Sequence, residues 1–197
     1  MNLDKILIYG STYLTKITCD FLKPHYDLVG HIPSQNPLIK GKMDLPIVNE
    51  GVEHDIKLSI QYDKKLLNIE NAFNVHTGLL PKWGGTDILY HTLKEEALEQ
   101  GISFHKITEK FDKGPIISKT TYPVFKTDTM IDLYQRLTQI CPSFVLGSLK
   151  LLECLPSIEE CQVHNPRLFK RGNIEDKDLD TYKNFIPTIN KLINNKI

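Results

Sequence analysis

Five residues in from the start, KILIY forms an unbroken apolar run that stops at Gly10, Ser11 and Thr12. The next stretch, TYLTKITCDFL, repeats apolar residues at helical spacing: Leu14, Ile17, Phe21 and Leu22. A short β-branched run, a turn and then a 3.6-residue stripe predict strand, turn, helix. YDLVGHI, LPIV and DIKLSIQY read as three further strands. Strands separated by turns and helices need crossovers, so the first half is expected to be a largely parallel, doubly wound α/β sheet. After Asn71 the pattern changes. AFNVH is a short strand, and GGTDILYHTLKEEALEQ reads as a helix with Ile88, Leu89, Leu93 and Ala97 on one face, capped by Thr86 and ended at Gly101. GISFHKI and GPIISKTTYPV follow with no helix between them, which predicts an antiparallel pair at a sheet edge and makes the sheet mixed. A long helix is expected from Asp128 or Thr129, carrying Ile131, Leu133, Tyr134, Leu137 and Ile140, with Pro142 kinking or breaking it. Beyond residue 155 the chain is polar and poorly periodic, so residues 1–155 are expected to hold the fold and 156–197 to be a C-terminal extension.

Composition narrows the class. Lys plus Arg (24) equals Asp plus Glu (24), so no electrostatic argument for nucleic acid starts here. A 41% hydrophobic content supports a packed core and excludes disorder as the main state. No apolar run reaches the length of a membrane span; the longest candidate, SFVLGSLKLLECL, carries Lys150 and Glu153. Asp4 and a five-residue apolar run do not make a secretory signal, and the expected location is cytoplasmic. Cys19, Cys141, Cys154 and Cys161 show neither CxxC nor ligand spacing, so they read as idle reduced thiols and no metal site is expected.

The familiar phosphate and hydrolase motifs are missing: there is no GxGxxG, Walker loop, HExxH or GxSxG. Ser11 and Thr12 could hold an anion at the first helix, although capping is the simpler reading. The informative stretch is FNVHTGLLPKWGG. Asn74 and His76, two apart at the end of a strand, share one face of it. An amide donor and an imidazole at the carboxyl edge of a parallel sheet sit where open α/β folds bind ligands. EKFDKGPI then offers Asp112 on a loop closed by Gly114 and Pro115.

NVHxxLLP, followed by an acid in a D-x-G-x-I setting (Asp112, Gly114, Ile116), resembles the 10-formyltetrahydrofolate-dependent formyltransferases, with GISFHKITEKFDKGPIIS similar to another of that family's segments. The resemblance runs from KILIYG to the long helix near residue 150, and implies a Rossmann-like formyltransferase fold with a mixed, mostly parallel twisted sheet flanked by helices, its catalytic domain spanning residues 1–155. It implies that Asn74 and His76 face the formyl oxygen and that Asp112 orients His76 or a water and relays a proton. The formyl donor would be 10-formyltetrahydrofolate, held around Gln61, Tyr62 and Lys64 and around Lys113 and Gly114. His105, on the strand leading to Asp112, is either a supporting residue or a packed one. Two positions depart from the family: Gly78 stands where many members have serine, and Gly84 where an arginine often precedes the loop glycine. The acceptor loop is therefore altered. The expected acceptor is a small amine, foremost a nucleotide-linked amino sugar, bound by Ser11, Thr12, Trp83, Thr86 and Asp87, with Trp83 as a stacking platform. Transfer RNA is disfavoured by charge and by chain length. Glycinamide ribonucleotide is the alternative acceptor, and a folate-binding module without turnover the non-enzymatic one. Neither nucleic acid nor membrane is an expected partner, and a homodimer is left open.

Overall fold

The computed structural model describes residues 3–35, 37, 39–154, 166–170 and 179–194. Its elements in chain order are β1 (Lys5–Tyr9), α1 (Tyr13–Leu22), β2 (Asp27–Ile32), β3 (Ile56–Ile60), β4 (Ala72–His76), β5 (Gly84–Gly85), α2 (Ile88–Lys94), β6 (Glu99–Lys106), β7 (Ile116–Pro123), α3 (Met130–Cys154), β8 (Leu168–Phe169) and α4 (Leu179–Asn194). The main sheet has the order β2-β1-β3-β4-β6-β7. Its first four strands are parallel; β6 and β7 are antiparallel and close one edge. This is the mixed sheet that the periodicity predicts. The chain leaves β1 toward β2 on one side and returns to β3 on the other, so the switch point lies between β1 and β3, where open α/β sheets leave a crevice at the strands' carboxyl ends.

The strand period sorts side chains onto two faces. Ile6 and Ile8 enter the main core with Leu14 and Leu22 of α1 and Leu133, Leu137, Val145 and Leu149 of α3. Leu7 and Tyr9, pointing the other way, join Leu66 and Ala72 in a smaller cluster that Val48, Val52, Ile69 and Ile107 cover from loops. β3 is buried along its whole length, as a central parallel strand should be.

Four local expectations fail. LPIV is not a strand; Ile47 makes only an isolated bridge to His31. The helix expected to run to Gly101 stops at Lys94, because residues 99–106 are drawn into β6, where Gln100 to His105 are all buried. Thr86 does not cap it: the N-cap is Asp87 in the left-handed conformation, with no side-chain cap bond. Pro142 does not break α3, which runs through it for 25 residues on a stripe that includes Leu137, Cys141, Val145 and Leu149. Burial along that face outweighs the one lost backbone bond. The extension also contributes to the main core, through Phe185 and Ile189 of α4. Cys161 lies outside the described residues.

Burial pushes the Cys19 and Cys141 thiols up to about 12, so both stay protonated near neutrality and unreactive. Iodoacetamide at about pH 8 should therefore label exposed Cys154 and spare Cys19 and Cys141 in the native protein, and peptide mapping after unfolding should show both labelled.

Candidate active site

The sequence places Asn74 and His76 on β4, and the fold supplies their opposite numbers. Antiparallel pairing sets Asn74 against His105 and His76 against Ser103 of β6. The Asn74 amide lies 3.2 Å from His105 Nε2. His105 Nδ1 is 3.0 Å from the Lys106 carbonyl, which can only accept, so in the neutral ring Nδ1 carries the proton and Nε2 accepts from Asn74 Nδ2. The same reasoning fixes His76: Nε2 donates to the Trp83 carbonyl at 2.6 Å, leaving Nδ1 unprotonated.

Asp112 completes the cluster from the loop between β6 and β7. Its Oδ1 is 3.7 Å from both His76 Nδ1 and His105 Nε2, and its side chain is only 10% exposed. Two unprotonated ring nitrogens thus turn toward one carboxylate oxygen, too far for direct hydrogen bonds and well placed to stabilise a proton brought between them. The other oxygen, Oδ2, accepts from the Gly85 N–H at 2.7 Å. Asp112 has φ +53°, a left-handed conformation that Asp tolerates better than most residues. Gly114 lets its loop close, since a Cβ there would lie 1.7 Å from the Lys106 carbonyl.

These side chains line one end of a cavity of about 730 Å³. One wall comes from Gln61 to Leu66 and Ile107 to Phe111, another from Thr86 to Tyr90, and the apolar floor includes Ile39, Met130, Tyr134, Leu137 and Phe185. Of the residues assigned to the donor, Gln61, Tyr62 and Lys64 are on that wall, whereas Lys113 and Gly114 are not among the lining residues. Gln61 accepts from the Thr12 hydroxyl at 2.9 Å. Thr12 lines the cavity and also caps α1 in a reciprocal capping box with Thr15. Ser11 accepts from the Ser34 N–H instead, and does not line the cavity.

Trp83 corrects the expectation of a stacking platform. Its ring is 1% exposed and lies against Phe169, with centroids 5.4 Å apart and planes at 15°. It is the base of the loop, and Thr86 and Asp87 are the loop residues that reach the cavity. The two departures from the family pattern have steric reasons. A Cβ at Gly78 would lie 2.3 Å from the Trp83 carbonyl and 2.7 Å from His76 Nε2. One at Gly84 would meet Leu168 and Pro166, both at 2.9 Å. Residues 166–170 occupy the space of the missing side chain, and Leu168, Phe169 and Lys170 line the cavity. Nothing in the short RLFK run signals this role in advance. Also missed were Ser103 and Gln100, which hold the loop after β4: Leu80 N–H donates to Ser103 Oγ at 2.9 Å and Leu79 N–H to Gln100 Oε1 at 2.8 Å. Among the described residues no cluster of His, Cys, Asp or Glu is arranged to hold a metal, and no helix is long and apolar enough to cross a membrane.

An amide, two imidazoles and a carboxylate thus converge at the β4–β6 edge of the α/β sheet. Residues 64–146, which contain the cluster, match the formyl transferase family model. It is 30% identical over 173 residues to the methionyl-tRNA formyltransferase of Thermosipho africanus, covering 82% of this chain and 53% of that one. The chain spans about a quarter to a half of the length of the curated relatives it matches. WlaRD, a sugar 3N-formyl transferase solved in the presence of dTDP and 5-N-formyl-THF, has the same fold with a TM-score of 0.71 at 22% identity, covering 89% of this chain and 72% of that one. The N-formyltransferase of Helicobacter canadensis, solved with folinic acid and dTDP-3-aminofucose, also gives 0.71 at 19% identity, covering 88% and 73%.

Because Trp83 is buried beneath the loop, Trp83→Ala should act on stability, lowering it by about 3–5 kcal/mol. Urea unfolding followed by circular dichroism measures the loss; a fully stable variant with only a raised acceptor KM would restore the platform reading.

Proposed function

We propose that this chain transfers a formyl group from 10-formyltetrahydrofolate to the amine of a small acceptor, foremost a nucleotide-linked amino sugar, in the cytoplasm. The observation that carries the reading is the convergence of Asn74, His76, His105 and Asp112 on a cavity of about 730 Å³, a volume suited to a small-molecule site. The residues present suit the donor. Gln61, Tyr62 and Lys64 stand on one wall, and the lysines at positions 64, 65 and 110 offer charge to an anionic tail.

The donor supplies an electrophilic formyl carbon; everything else falls to the protein. Asn74 uses one N–H on His105 and keeps the second for the oxygen that gains charge as the acceptor nitrogen bonds to that carbon. His76 Nδ1 accepts the proton released by that nitrogen, and Asp112 stabilises the imidazolium so formed. The proton then passes to the departing folate nitrogen as its bond to the formyl carbon breaks, which returns His76 to neutrality. Support for the acceptor comes from the two similar sugar enzymes and from Thr86 and Asp87 on the cavity lining, and a net charge of zero supplies no overall electrostatic attraction for transfer RNA.

A panel of amino-sugar nucleotides, glycinamide ribonucleotide and amino acids, incubated with the donor and scored by mass spectrometry, tests the reading; a gain of one formyl group on an amino-sugar nucleotide is expected. His76→Ala and Asp112→Asn should each remain folded and bind the folate while turnover falls by about 100-fold or more. A variant keeping above roughly a tenth of wild-type turnover leaves the site. The rate should rise from acid to neutral pH, because the acceptor amine must be unprotonated to attack the formyl carbon; a flat profile with chemistry rate-limiting contradicts the assignment.

A further inference from the structure

The short strand β8 lies outside the stretch that matches the family model, yet it is bonded into the loop that holds the catalytic carboxylate. Arg167 N–H donates to the Pro81 carbonyl at 3.1 Å, Gly84 N–H to the Arg167 carbonyl at 2.9 Å and Thr86 N–H to the Phe169 carbonyl at 3.0 Å. Successive N–H groups of an extended chain point to opposite sides. Fixing those of residues 84 and 86 to β8 therefore aims that of Gly85 the other way, to Asp112 Oδ2. Gly85 suits this arrangement because of its φ of +90° and because a Cβ would lie 2.0 Å from the Phe169 carbonyl.

Phe169 is the anchor. Its ring stacks on Trp83 and on His91, with centroids 5.4 and 4.2 Å away. The Arg167 guanidinium lies 4.5 Å from the same ring and bridges to Glu95 at 2.6 Å. Burial lowers the pKa of His91, which keeps the ring neutral for this apolar stack.

We infer that residues 166–170 are a positioning strap for catalysis: with Phe169 as its anchor, the strap orients the Gly85 N–H and so fixes the Asp112 carboxylate beside His76 and His105. The inference rests on the formyl-transfer reading for its kinetic arm only. It gives the C-terminal extension a role in turnover, carried through a backbone amide.

The test compares Phe169→Ala, the milder Phe169→Leu and the aromatic Phe169→Tyr in the full chain, with thermal melts to confirm folding. Phe169→Ala should speed amide hydrogen exchange at Gly84, Gly85 and Thr86 by about tenfold or more. It should lower kcat by about tenfold while leaving the donor KM within about twofold, and Phe169→Tyr should restore most of both. In an Asp112→Asn background the same change should cost less than about twofold, since the carboxylate it serves is gone. Unchanged Gly85 exchange, unchanged kcat, or losses that multiply in the double variant would each overturn the strap. If Phe169→Ala does not fold, Phe169→Leu is read by the same criteria. Absence of transfer by the wild type with every amine would sink the formyl-transfer reading, and the Gly85 exchange arm would then decide the strap by itself.

Discussion

The register between β4 and β6 is the constraint on which the site depends. β4 is the last strand of the parallel half, and β6 pairs with it in the opposite sense. Antiparallel pairing sets residues directly opposite each other, so one alignment brings His105 beside Asn74 and Ser103 beside His76. A slip of one residue would turn His105 to the other face and lose the amide partner, the shared approach to Asp112 and the Ser103 bond that holds the loop after β4. The buried stacking of Phe73 on Phe104, centroids 5.5 Å apart, sits on the same two strands and resists that slip.

Proton logistics follow from that alignment and from two carbonyls. Lys106 and Trp83 each claim one ring N–H, from His105 and His76. The polarity of both imidazoles is thus set by backbone, which does not titrate, while their remaining nitrogens share one carboxylate. Asp112 in turn is held by a backbone amide. A site whose two imidazoles and carboxylate are each oriented by main chain loses little to rotamer freedom when it binds its ligands.

Much of this was legible in the sequence. KILIY, AFNVH and the 3.6-residue stripe of α1 have period and punctuation that agree, and Asn74, His76 and Asp112 carry recognisable spacing; the fold brings the three together. What misled were stretches where tertiary context outvoted local pattern. TDILYHTLKEEALEQ has helical spacing throughout, but Gln100 and its neighbours gain more as a buried strand paired to β4 and β7. Trp83 beside two glycines reads as an exposed platform until Phe169, more than eighty residues away, is seen to lie on it. A two-residue strand such as β8 has no periodicity to detect, and its partner is a pair of glycines that offers no side-chain pattern either. Ser103 and Gln100 act through backbone partners in a distant loop, and no local motif carries that information.

The second face of the sheet is covered by loops, and residues of those loops also line the cavity. Leu66 and Ile107 belong both to the small apolar cluster under Leu7 and Tyr9 and to the lining of the cavity. This part of the lining cannot shift far without drawing Leu66 and Ile107 away from that cluster and wetting it, so the shape of the cavity here is tied to the dryness of a core patch. A ligand that seats against this wall strengthens the packing behind it as well as its own contacts.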